Sequence, residues 1–191
     1  MRKRGLASLA FFYCDFRDVY KKNLRGLLSS ILLQLCDHSD CYSTILSEFY
    51  SEHGDGSREP SDDELIRCLE DMLKHPGQAP AFIIIDGLDE CPDTFGMPSP
   101  REKVLAFLER LVDLHLQNLH VCITSRPEVD IQATINRLHF PTVSLHTEGG
   151  QMQDIVNYIR SIVYTDAKME KWRPDDKELV IDALMNKADG M

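Results

Sequence analysis

The sequence predicts an α/β protein built on a parallel sheet, followed by the start of a small helical domain. Three observations carry that prediction. The run Phe82 to Pro92, FIIIDGLDECP, opens with consecutive branched apolar residues, as a buried parallel strand does when helices cover both of its faces. Runs of this kind alternate along the chain with stretches of helical periodicity, the order that right-handed crossovers impose on parallel sheets. Strand signals then stop near Leu145, whereas helical periodicity continues beyond Gly150.

Taken in order, Leu6 to Tyr13 reads as the first buried strand. The start MRKR superficially resembles a secretory leader. The apolar stretch behind it is short, no small-residue cleavage site follows, and Asp15, Arg17 and Asp18 interrupt it at once. Leu24, Leu27, Leu28, Ile31, Leu32 and Leu35 recur at helical spacing and predict a helix from about Lys22 to Asp37. A second helix follows from Cys41 to Tyr50. The segment Ser51 to Pro60, with Gly54, Asp55, Gly56 and Ser57, is a polar surface loop. Ser61 and Glu64 form a capping-box pattern that opens a helix carrying Leu65, Ile66, Leu69 and Met72, and His75 to Pro80 ends it.

Ala81 to Ile85 is the next strand, followed by a proline-rich loop from Pro92 to Pro100. A helix from about Arg101 to Leu116 turns Val104, Leu105, Leu108, Leu111 and Val112 inward. Leu119 to Thr124 is a strand, Val129 to Leu138 a helix, and Thr142 to Leu145 the last strand. Ile155, Tyr158, Ile159 and Ile162 then mark one helix, and Leu179, Ile181, Leu184 and Met185 a second one behind Pro174. The expected domains are an α/β core over 1–148 and a truncated helical domain over 149–191.

Bulk composition narrows the function classes. With 191 residues, 43% of them hydrophobic, the chain can bury one sizeable core. A net charge of -10, from 31 acidic and 21 basic residues, disfavours a nucleic-acid-binding surface. No window approaches the roughly 18 to 20 apolar residues that span a bilayer, so no membrane partner is expected. The six cysteines form no CxxC pair. Cys36, His38 and Cys41 are read as ordinary side chains rather than metal ligands, because free Cys commonly behaves as a small buried hydrophobe. Reduced thiols and a cytoplasmic location are expected.

Two strand ends carry chemistry. Asp86 closes its strand and Asp89 and Glu90 follow within a turn; open α/β sheets bind ligands outside the carboxyl ends of their strands. Carboxylates there suit a hydrated magnesium ion beside a phosphate, one on the metal and another orienting the attacking water. A buried strand running into a solvated acidic turn is the plainer alternative. The other strand end offers Thr124, Ser125 and Arg126. A Ser or Thr at such a junction is equally an N-cap.

The segment IIIDGLDE resembles the Walker B motif of NACHT domains, the signal-transducing NTPases of the STAND class, and VCITSRPE resembles their sensor 1 strand. The flanking FFYCDF and EGGQMQDIVNYI are similar to fungal-type, nephrocystin-like NACHT proteins. The resemblance covers most of the chain. It implies an ASCE-type P-loop NTPase fold and a nucleotide-dependent molecular switch, with magnesium and ATP or GTP as cofactors. Asp86 would hold magnesium through water, with Gly87 keeping the space beside it open. Asp89 and Glu90 would orient or deprotonate the hydrolytic water, the choice between them open. Thr124, Ser125 and Arg126 would lie near the phosphates, Arg126 facing the γ-phosphate side. Plainer roles stay open too: either acid as a turn cap, and Arg126 as a surface arginine. The nucleotide and further copies of the module would be the partners.

The departure from the pattern is the missing G-x-x-x-x-G-K-S/T loop. Gly5 is followed by LASLAFF and Gly26 by LLSSILL, and neither offers the lysine that neutralises phosphates beside the backbone N–H groups that cradle them. Acidic groups and one arginine favour magnesium but oppose ATP. In the NACHT arrangement the P-loop strand comes first yet lies inside the sheet, in the order 5-1-4-3-2. The strands here would be the second to the fifth, with a gap between the Thr142 to Leu145 strand and the Leu119 to Thr124 strand. The expectation is a fragment of a NACHT-type switch that does not itself bind or hydrolyse ATP. The alternative is a non-enzymatic scaffold or interaction module. A phosphoryl-accepting Asp86 is a third reading, but Cys14, Asp15 and Phe16 supply only one acid at the earlier strand end, where a metal-sharing pair would be needed.

Overall fold

The computed structural model describes residues 6–94, 96–144 and 149–188, and the chain divides into two compact units, Met1–Phe140 and Pro141–Met191. The first runs β1 (Ser8–Tyr13), α1 (Leu24–Cys36), α2 (Asp40–Glu52), α3 (Asp62–Lys74), β2 (Ala81–Asp86), a 3-10 turn (Leu88–Glu90), α4 (Pro100–Asp113), β3 (Leu119–Ile123) and α5 (Val129–Arg137). The three strands form one parallel sheet in the order β1-β2-β3. Ser8 stands opposite Ala81, and Ala81 opposite Leu119. This is the predicted α/β class, consistent with a partial P-loop-like fold.

Helix ends follow local chemistry. Asn23 caps α1 by accepting the Gly26 N–H at 2.9 Å, satisfying one of the donors a helix start leaves open. The Tyr20 carbonyl lies where any Cβ on Gly26 would sit, so a glycine lets residues 16–22 fold back on the helix. Ser61 and Glu64 make the predicted capping box, and Ser99 with Glu102 makes a second one at α4, with Pro100 in the first turn. The α4 helix stops at Asp113, short of Leu116, because His115 turns left-handed at φ 50° and cannot continue it. The α2 helix reaches Glu52, into the expected loop.

The core lies on one side of the sheet. Ala10, Phe12, Ile83 and Ile85 pack there with Leu27, Leu28 and Ile31 of α1, Leu69 and Met72 of α3, and Val104 and Leu108 of α4. On the opposite face Phe11, Tyr13, Phe82 and Cys122 are exposed, and Phe82 stacks on His120 with ring centroids 4.6 Å apart. This corrects the expectation of helices on both faces. Apolar residues on the open face are partly covered by each other, which gives the same continuous run in sequence as a second helical layer.

The expected strand Thr142 to Leu145 is also corrected. Residues 142–144 pair with no strand, and Val143 is exposed; Leu145 lies outside the described residues. A strand exists only where a neighbour completes its ladder, and β3 has β2 as its one partner among the described residues.

The second unit pairs α6 (Gly149–Thr165) with α7 (Pro174–Ala188), joined through a 3-10 turn (Ala167–Met169). Val163 and Ile181 are buried. The Tyr164 hydroxyl donates to Glu178 at 2.7 Å, which raises the phenol's pKa, and the Lys177 ammonium sits 5.1 Å from the Tyr164 ring centre. No helix among the described residues is long and apolar enough to cross a membrane.

Candidate functional site

The parallel order places the carboxyl ends of all three strands side by side. Beyond the ladder, Cys14 N–H donates to the Asp86 carbonyl and Thr124 N–H to the Ile85 carbonyl, both at 2.9 Å. Asp86 is the last residue of β2. Gly87 then turns the chain at φ 69°. A Cβ there would lie 3.7 Å from the Cys14 carbonyl oxygen and 3.8 Å from Glu90 Cγ, ordinary contact distances. The glycine therefore serves its left-handed backbone.

Asp86, Asp89, Glu90, Thr124 and Arg126 come together on this edge. The Thr124 hydroxyl donates to Asp86 Oδ1 and accepts the Gly87 N–H at 3.0 Å. Asp89 Oδ1 accepts the Arg126 N–H at 3.0 Å, and its Oδ2 lies 3.6 Å from Arg126 Nε. Glu90 Oε2 accepts the Phe16 N–H at 3.4 Å, tying in the end of β1. Ser125 belongs to the same turn, its hydroxyl donating to the Arg126 carbonyl at 2.7 Å.

Residues 1–126 match the protein family described as Nephrocystin 3, N-terminal. The chain belongs to this family. The Nephrocystin 3 N-terminal match covers 126 of 191 residues and ends on Arg126, so it contains β1, β2, β3 and every residue of the strand edge. No curated protein and no solved structure matches the chain.

Within the family segment, sequence reasoning missed Arg101. Its side chain is buried among acceptors: Nε donates to the Cys91 carbonyl at 2.9 Å and Nη2 to the Asp89 carbonyl at 2.6 Å, while Nη1 lies 3.4 Å from both Asp130 oxygens. A buried arginine is rare unless its donors are matched, and here it fastens the acidic turn to α4. Arg101 also lines a cleft of about 480 Å³ with Phe16, Lys22, Asp89, Glu90 and Arg126. Beside it the sulfurs of Cys14 and Cys91 lie 3.6 Å apart. The register that sets Tyr13 opposite Asp86 brings that pair together.

The residues present do not fit a magnesium–nucleotide complex on their own. Four N–H groups of the turn are already committed: Gly87 to Thr124 Oγ1, Leu88 to the Thr124 carbonyl, Glu90 to the Gly87 carbonyl and Cys91 to the Leu88 carbonyl. Among the described residues no group of three or more His, Cys, Asp or Glu is placed to hold a metal ion. The Cys36 thiol donates to the Tyr42 carbonyl at 3.5 Å, and His38 Nε2 lies 3.1 Å from the Leu9 carbonyl.

A second cleft, about 510 Å³, opens between α2 and α3 and is lined by Glu48, His53, Arg58, Glu64 and Arg67, among others. His53 Nδ1 lies 2.7 Å from the Phe49 carbonyl, so that nitrogen carries the proton. Its buried Nε2 has no hydrogen-bond partner and lies 3.4 Å from Glu64 Oε1. Glu64 is held down to about 2 by the Ser61 N–H, the Arg58 guanidinium and the Ser61 hydroxyl.

Proposed function

We propose that this chain carries the acidic and sensor half of a NACHT-type nucleotide switch. In this reading Asp86 is the magnesium-side carboxylate of a Walker B motif, Asp89 and Glu90 are the water-side acids, and Ser125 and Arg126 face the phosphates. One observation supports it above the rest: the ends of β2 and β3 meet at the residues the reading needs, the Thr124 hydroxyl bonded to Asp86, and Asp89 bonded to the Arg126 N–H and paired with its guanidinium. A ligand that draws the Arg126 guanidinium away deprives Asp89 of its cationic neighbour, which links what happens at one strand end to the other. Self-association of the module belongs to the same reading.

These residues include no G-x-x-x-x-G-K-S/T loop, so no hydrolytic step is assigned to the 191 residues alone. ATP or GTP and magnesium are ligands of the arrangement that adds a phosphate loop. The test is a fluorescent-nucleotide titration of the natural full-length product that contains these residues. Asp86→Asn and Arg126→Ala are each expected to weaken magnesium-dependent binding about tenfold or more while leaving thermal unfolding in place. If the full-length product binds no nucleotide, the switch reading falls. A non-enzymatic interaction module then takes its place, a reading favoured by the internal bonds that already engage Asp86, Asp89 and Glu90.

A further inference from the structure

We propose that Cys14 and Cys91 form a reversible disulfide in response to hydroperoxides, stapling the end of β1 to the turn that follows β2. The two sulfurs lie 3.6 Å apart and share a hydrogen bond across 77 positions of sequence. Both cysteines are buried, at 8% and 0% exposure. A disulfide requires about 2.05 Å between sulfurs, so the pair must close by about 1.5 Å through side-chain rotation. Neither backbone is free to wander: Cys14 N–H is bonded to the Asp86 carbonyl and Cys91 N–H to the Leu88 carbonyl. Cys91 also borders the 480 Å³ cleft beside Phe16 and Arg101.

The surroundings assign the two thiols different tasks. Arg101 donates to the Cys91 carbonyl at 2.9 Å. The hydrogen bond shared with Cys14 and the Arg101 charge lower the Cys91 pKa, whereas Cys14 is pushed up by its bond to Cys91, by burial and by the charges of Cys91, Asp86 and Asp89. With the Arg101 cation held against the Cys91 carbonyl, Cys91 is the attacking sulfur in this proposal. Its thiolate takes one oxygen of the hydroperoxide, the O–O bond breaks, and the other oxygen leaves and is protonated to water or an alcohol. The neutral sulfenic acid no longer presses a negative charge on Cys14. Cys14 loses its proton and attacks the Cys91 sulfur, the S–O bond breaks, and hydroxide departs to become water. Two thiols are oxidised by two electrons in all and the hydroperoxide is reduced by two; a dithiol reverses the bond by exchange.

The cross-link would clamp the mouth of the strand-edge cleft, where the Phe16 N–H already reaches Glu90. Disulfides that come and go in this way are typical of redox-sensing intracellular proteins. The proposal stands whether or not the chain serves a nucleotide switch. The experiment is stepwise hydrogen peroxide treatment of the folded chain, alkylation of remaining thiols, and peptide mapping by mass without reduction. The expected product is one cross-linked peptide pair containing Cys14 and Cys91, lighter by about 2 Da for the two hydrogens lost and restored by dithiothreitol. In Cys14→Ala, dimedone is expected to trap a sulfenic acid on Cys91, with no matching adduct on Cys14 in Cys91→Ala. The wild-type map decides even if a variant fails to fold. The proposal is overturned if both thiols stay reduced at a dose that oxidises the exposed Cys122. It is equally overturned if Cys91 proceeds to the sulfinic acid without a cross-link.

Discussion

At the cleft between α2 and α3, Glu64 takes its partners from nearby in sequence, the N–H and hydroxyl of Ser61 and the guanidinium of Arg58. At the strand edge, Asp86 and Asp89 take theirs from the end of a different strand, 38 and 37 positions away. The clefts are similar in volume, about 510 and 480 Å³, and both are lined by acids and arginines. Size and charge therefore do not separate them. The source of the hydrogen bonds does: local partners cap a helix, whereas partners from another strand tie two strand ends together. Coupling of that second kind is what a switch requires.

Arg101 offers the largest way to break the comparison. It is buried, and its fork reaches two backbone carbonyls of the acidic turn and the Asp130 carboxylate. Arg101→Ala leaves those groups without their cation and is expected to cost about 3 kcal/mol of folding stability, read from urea midpoints at constant m. Arg101→Lys should recover little of it, because an ammonium lacks the planar fork. A loss below about 1 kcal/mol in Arg101→Ala would mean that the strand-edge turn is held locally after all, as the helix cleft is.

The helix cleft has the next effect. Ser61→Ala removes the N-cap of α3 and should cost about 1 kcal/mol. It also removes the Ser61 hydroxyl from Glu64. The Glu64 pKa is depressed in the folded chain, from 4.5 to about 2, so the stability it contributes is fully present above pH 4.5 and is lost as pH falls toward 2. In Glu64→Gln the urea midpoint should fall less steeply over that window than in the wild type. Equal slopes would show that Glu64 does not use its cap and that the local side of the comparison is wrong.

Much of this was legible before the fold was known, for identifiable reasons. The strands showed as apolar runs, and the Ser61–Glu64 cap showed because its two halves are three residues apart. The acids at the end of β2 showed because a strand end can be read from where the apolar run stops. Arg101 did not show, since its acceptors come from the acidic turn and from α5, and only packing brings them together. The Cys14–Cys91 pair was hidden for the same reason: it depends on a register between β1 and β2 that neither segment reveals alone. The open face of the sheet misled most directly. Phe11 and Phe82 look like core residues in sequence, and only the one-sided packing of the helices shows that they are not.

Arg126 provides the smallest and most discriminating effect. Two contacts join it to Asp89, a hydrogen bond through its backbone N–H and a 3.6 Å ion pair through its guanidinium. Its side chain is 81% exposed, and an exposed ion pair contributes about 0–1 kcal/mol. Arg126→Ala keeps the backbone N–H and should leave the urea midpoint nearly unchanged. Asp89→Ala removes both contacts and should lower it further, since the Arg126 N–H then loses its acceptor. That ordering means the backbone carries the structural link between β2 and β3 and leaves the guanidinium available to a ligand. If Arg126→Ala instead destabilises as much as Asp89→Ala, the guanidinium is part of the scaffold. The strand edge would then be a second, longer-range version of the Glu64 cap rather than a place where a ligand is sensed.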